Sequence, residues 1–161
     1  MNKQEVLKNL DLHANGIWVP LTVVSLLIIL VIFTPKKHIS WRKIYVTFGV
    51  IGFITWFSDS IISRLLNLTD FGNPITDGIS DILSYCFIPS SLACLYLNYF
   101  NGRNRNLLAP IFIIVSLCIE LSMLRVGYLR FHGWNTFFSL IIYALAYYIF
   151  LPLHAKIISK I

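Results

Sequence analysis

Two carboxylates stand inside apolar runs of this chain. Asp59 lies in "IGFITWFSDSIISRLL", which begins at Ile51, and Glu120 lies in "IFIIVSLCIELSML". An acid in an apolar helix can hold a neighbouring helix by hydrogen bonds, bind a proton or cation, or act as a general acid or base. Each ionised group at the centre of a lone span costs about 2.5–3.5 kcal/mol on insertion scales, so such residues turn toward the bundle interior and find partners. Helical spacing supplies those partners. Gly52, Thr55, Asp59 and Ser63 share one stripe at steps of three and four, while Phe53, Phe57 and Ile61 lie away from it. Ser116 stands one turn before Glu120. Asp77, Asp81 and Tyr85 repeat every four residues, and so do Ser139, Tyr143 and Tyr147.

The elements that position these residues follow from composition. The chain has 161 residues, 57% hydrophobic and 12% charged. Soluble domains carry roughly a quarter charged residues, so much of this surface must face lipid. A spanning helix needs about 20 mostly apolar residues, and five stretches qualify: 17–33, 44–66, 79–100, 107–124 and 134–153. The breaks between them hold helix-stopping chemistry. "TPKKHISWRK" carries Pro35, "NLTDFGNPITDG" carries Gly72, Pro74 and Gly78, "NGRNRN" is a compact polar turn, and "RVGYLRFHG" mixes Gly with Arg and His. None is long enough for a separate domain. The expected fold is therefore all-α, one bundle of five transmembrane helices over residues 1–161.

The first apolar run follows sixteen mixed-charge residues and ends at "FTPKK" rather than at a small-residue cleavage site, as a retained helix does. Within residues 1–16, Val6, Leu7 and Leu10 share a side, which fits a short helix on the membrane surface as well as a disordered tail. The thirteen Lys and Arg divide eight to five between the two sides, favouring the N-terminus outside and the C-terminus inside. Trp18, Trp41, Trp56 and Trp134 mostly fall near span ends, as an interfacial belt does.

With this topology the acids fall at a common level. At about 1.5 Å per residue, Asp59 lies roughly 22 Å from the inner end of its span and Glu120 about 20 Å from that of its own. Asp81 lies within the first turn of the third span, at the outer end. Arg64 and Arg125 sit about a turn further out than Asp59 and Glu120, where long basic side chains snorkel. Each follows its acid by five residues, about 140° around an α-helix. The expected pairing is therefore crosswise, Arg125 to Asp59 or Arg64 to Glu120. Together these residues make a polar seam in the outer half of the bundle: Asp59, Glu120, Asp81, Thr55, Ser63, Ser116, Tyr85, Tyr143, Arg64 and Arg125. Pro89, in "YCFIPSSLA", frees the carbonyl of Tyr85 one turn earlier. Such a proline bends a span or, in transporters, opens an ion site.

Other chemistries lack their residues. His13, His38, His132 and His154 lie near the membrane surfaces, two on each side, so no metal site is expected. Cys86, Cys94 and Cys118 sit in apolar runs without a CxxC and pack as small apolar residues. No GxSxG, HExxH or phosphate-binding glycine loop occurs. "DGISD" is a helix start, with Asp77 capping the first turn. The formal charge of +6 sits beside apolar runs, which points to lipid headgroups and not to nucleic acid.

The stretches "IELSMLRVGYLRFHGWNTFFSLIIYALAYYIFLPLHAKI" and "LSYCFIPSSLACLYLNYF" carry a loose pattern. It consists of Glu120, Gly127, a tyrosine, Trp134-Asn135, Ser139 and Tyr143, preceded by a proline-broken span ending in "NYF". Over residues 44–155 the chain resembles a family of small polytopic membrane proteins of spore-forming, low-GC Gram-positive bacteria, uncharacterised in function. The resemblance implies a helical fold in a bacterial plasma membrane and brings no activity, cofactor or catalytic residue.

The expected function is that of a non-enzymatic, multi-pass plasma-membrane protein without cofactors, whose seam fixes helix packing or docks another membrane protein or a second copy. The alternative is a small channel or transporter subunit in which Asp59 and Glu120 bind protons or cations. An enzyme acting at the outer face ranks third.

Overall fold

The computed structural model describes residues 11, 13–73 and 78–160, with the side chain of Ser80 excepted. It is mostly helical, with five helices. Helix α1 is Trp18–Phe33 and α2 is Trp41–Leu65. Helix α3 covers 79–99, α4 is Arg105–Arg125 and α5 is Thr136–Ile158. Of these, α2, α4 and α5 are long and apolar enough to cross a membrane, while α1 is a shorter apolar helix. Helix boundaries follow those read from the sequence to within a few residues, except that α5 runs five residues past Leu153 before ending at Ile158. The expected surface helix before α1, and Asp77, lie outside the described residues.

Local chemistry sets the helix ends. Thr34, held extended before Pro35, stops α1. The Ser40 hydroxyl accepts from the Lys43 amide to start α2, and Asn135 accepts from the amides of Phe137 and Phe138 to start α5. Asn101 and Asn104 close the α3–α4 turn by bonding its backbone.

Three π-helical turns interrupt the helices, at Ser60–Leu65 in α2, Leu83–Phe87 in α3 and Ala146–Phe150 in α5. In the last two the turn ends two residues before a proline, Pro89 or Pro152. Proline brings no N–H and its ring crowds the carbonyl one turn back. A widened i→i+5 turn accommodates that mismatch without ending the helix. The expected break at Pro89 is thus spread over a π turn that contains Tyr85.

Helix α3 is the centre. Its residues from Ser90 to Asn98 are all buried, as expected of a helix enclosed on every side, and the small Ser90, Ser91, Ala93 and Cys94 let neighbours approach closely. Helices α1, α2, α4 and α5 all pack against it, and α4 also packs on α1 and α5. The outward faces of α1, α2, α4 and α5 expose large apolar residues such as Phe33, Phe53, Ile114 and Ile149.

One element departs from the all-α expectation. Thr69–Phe71 (β1) and Leu129–Phe131 (β2) pair antiparallel, with Asp70 opposite Arg130. The sequence reading took both segments as polar breaks. Three residues each are too short for a period-two pattern to stand out, and the pairing joins positions about 60 apart. This ribbon covers one end of the bundle. At the other, basic end, Asn98 at the close of α3 ties down the α1–α2 loop through the Lys37 amide and the Pro35 carbonyl. All described acids lie toward the ribbon end, in the ribbon half of the helices or beyond.

Candidate functional site

The acidic seam resolves into two parts with different chemistry. The first is a closed cluster beneath the ribbon. Asp81 is almost fully buried, and both its oxygens are satisfied. The Tyr128 hydroxyl donates to Oδ1 at 2.8 Å, and the Gly78 amide donates to Oδ2 at 2.9 Å. Ser84 donates to the Tyr128 oxygen at 3.3 Å. Gly72 approaches so closely that a Cβ there would lie 3.1 Å from Asp81 Oδ1 and 2.8 Å from Asp11 Oδ2, at a positive φ of 49°. Asp11 in turn accepts from the Asn73 amide at 2.9 Å. On the solvent side of the ribbon, His132 Nε2 meets Asp70 Oδ2 at 2.7 Å, with the imidazole largely exposed.

The second part is a groove of about 640 Å³ between α2 and α5, floored by α3 and α4. Ribbon residues Thr69, Phe71, Leu129 and Phe131 line its top. Near the basic end, Thr47 of α2 and His154 of α5, both buried, meet at 3.1 Å. Between these two closures the walls are apolar, and wall residues Ile54, Ile142, Leu145 and Ile149 are also exposed on the outside of the bundle. The groove therefore opens sideways, between helices, toward the surface that the apolar side chains cover.

Asp59 and Glu120 both line this groove, and among the described residues no Lys, Arg or His does. Asp59 Oδ1 accepts from Ser63 at 2.7 Å, and Ser63 shares a 2.7 Å contact with Thr69 of the ribbon. Glu120 is 7% exposed. Its Oε2 accepts from the Tyr143 hydroxyl at 2.7 Å, and Ser139, held by Trp134 Nε1 at 2.9 Å, stands beside it. Its Oε1 is buried with no hydrogen-bond partner among the described residues. Below it, Ser116 and the Tyr147 hydroxyl meet at 3.0 Å, and the Tyr96 hydroxyl donates to the Tyr147 carbonyl at 2.8 Å. A crevice of about 20 Å³, room for about one water, runs between Asp59, Arg64, Asp70 and Asp81.

The residues read from the sequence divide accordingly. Glu120, Tyr143 and Ser116 come together with Ser139 and Tyr147 on facing helices. Asp59, Ser63, Thr55 and Tyr85 line the same groove from α2 and α3, with the Thr55 hydroxyl bonded back to the Ile51 carbonyl. Asp81 belongs to the closed cluster instead. The crosswise arginine pairing does not occur. Arg64 lies in the field of Asp59 and Asp81, on its own helix and the next, because the π turn at Ser60–Leu65 brings a five-residue step back toward the same face. The partners of Glu120 are hydroxyls, and Arg125 is exposed.

The reading missed Tyr128, Thr69, Asp70 and Trp134 as members of the seam. Each lies in or beside the ribbon, so the signal that could have found them was a pairing of "TDF" with "LRF". Among the described residues no group of three or more His, Cys, Asp or Glu is arranged to hold a metal.

No protein family, curated protein or solved structure matches this chain.

Proposed function

We propose that the chain is a multi-pass plasma-membrane protein of five spans, ribbon end outside, without enzymatic activity, which receives a membrane-embedded partner through the groove between α2 and α5. The carrying observation is the division of the acids: one buried carboxylate is fully satisfied, while two others line a laterally open groove with no basic residue among its described lining. The closed cluster holds α3 to the ribbon, and the groove is where the seam meets another molecule. The excess of exposed apolar side chains on α1, α2, α4 and α5 supports insertion. The loops of the basic end, which hold Lys and Arg but no described acid, support placing that end in the cytoplasm.

The test uses Trp134, which lines the groove, as the one tryptophan in a chain carrying Trp→Phe at 18, 41 and 56. In bilayers with brominated acyl chains its fluorescence falls if the groove admits molecules from the membrane. Unquenched fluorescence in a folded, reconstituted protein would refute lateral entry.

A second reading is favoured by the unpartnered Oε1 of Glu120: Asp59 and Glu120 bind protons or cations in transit. A proton or cation flux in proteoliposomes, abolished by Asp59→Asn in a folded protein, would establish it; silence of the wild type would dismiss it.

A further inference from the structure

We infer that the groove selects a lipophilic ammonium: a small amphiphile with an apolar body and a protonated amine that reaches Glu120. This rests on reading the groove as a site entered from the membrane and names the occupant. Three features converge. The space, about 640 Å³, is that of sites for small molecules. Thr69 and Phe131 line it at the ribbon, and toward the basic end Thr47 bonds His154 across α2 and α5, so a transmembrane helix laid between α2 and α5 would meet the ribbon at one end and this bond at the other.

The charge is one-sided. Two carboxylates and several hydroxyls line the groove, with no Lys, Arg or His among the described lining residues, so an anionic headgroup would meet repulsion at Glu120. Finally, Glu120 is more than nine-tenths buried with Oε1 unpartnered. A buried carboxylate with one oxygen unmatched is costly, and an N–H⁺ donor supplies both the charge and the missing hydrogen bond. Tyr143 on Oε2 and Ser139 beside it hold the carboxylate in place, and Asp59 on the opposite wall adds a second negative group. A bare metal ion fits poorly, since among the described residues the groove's carboxylates are not gathered with a third acid, His or Cys into a shell such as the six to eight oxygens a calcium ion takes.

The experiment compares three photoreactive probes of equal chain length, each bearing a diazirine in the chain: an alkylamine, an alkanol and an alkanoic acid. Each is added to the full chain in lipid nanodiscs at neutral pH, and labelled peptides are mapped. The amine should label groove residues on α2 and α5, such as Ile54 and Ile149, about tenfold more than the acid or the alkanol, the discrimination expected when a charge-assisted hydrogen bond is lost. Glu120→Gln should remove that preference. Asp70→Asn, outside the groove, should leave it unchanged, and retained thermal unfolding of each variant shows that it is folded.

Equal labelling by all three probes would overturn amine selection while leaving the groove as an entry site. So would an amine preference that persists in folded Glu120→Gln. Absence of groove labelling by every probe would instead remove the reading on which the inference rests.

Discussion

Asp81 and Glu120 are both buried carboxylates in an apolar bundle, yet they are finished differently. Asp81 receives a donor on each oxygen, one from the backbone at Gly78 and one from Tyr128, and Gly72 is packed almost onto it. Glu120 receives the Tyr143 hydroxyl on Oε2, has the Ser139 hydroxyl beside it, and lines the groove with Oε1 buried and lacking a hydrogen-bond partner among the described residues. The same residue chemistry therefore serves as a joint in one place and as an open valence in the other. What separates them is the ribbon end: Tyr128 and Gly72, which flank the two strands, close over Asp81, whereas the hydroxyls at Glu120 come from the facing α5.

That contrast makes the two acids respond oppositely to substitution. The largest effect is expected for Asp81→Leu, which strands the Tyr128 hydroxyl and the Gly78 amide; each buried unsatisfied group costs about 1–3 kcal/mol. Chemical unfolding in micelles should register a loss of about 3 kcal/mol, and a neutral result would mean that the cluster is not a joint. Gly72→Ala should cost about 1–3 kcal/mol by the same assay, from a residue with a Cβ forced into the left-handed region and against Asp81.

Smaller still is Thr47→Val, about 1 kcal/mol, since it removes one buried bond to His154 at the closed end of the groove. Sideways access to the groove should increase with it, read as faster quenching of Trp134. Least of all in stability is Glu120→Gln. It keeps an oxygen for Tyr143 and loses only an oxygen that had no partner, so unfolding should shift by less than about 0.5 kcal/mol while ligand selection is lost. A drop as large as that of Asp81→Leu would erase the distinction between the two sites.

Helix positions were readable because hydrophobic runs and their breakers are local. Pro35 after Thr34, Ser40, Asn101 with Asn104, and Asn135 each act within five residues of where they stand. The stripes were readable for the same reason: Glu120 with Ser116, and Ser139 with Tyr143 and Tyr147, meet across α4 and α5 as three- and four-residue spacing requires. The arginine geometry was misread because it assumed an unbroken α-helix between Asp59 and Arg64, where the chain inserts a wider turn.

Over the described residues the sequence alone determined where helices form and stop and which faces carry polar groups, since backbone satisfaction and side-chain period are properties of neighbouring residues. Tertiary structure decided what the acids became. The pairing of Thr69–Phe71 with Leu129–Phe131 spans about 60 residues, and the separation of α2 from α5 depends on how the other four helices pack with α3. Neither leaves a local trace, because the partners of a buried carboxylate are chosen by distance in space, and that choice made Asp81 a closed joint and left Glu120 with an oxygen to give.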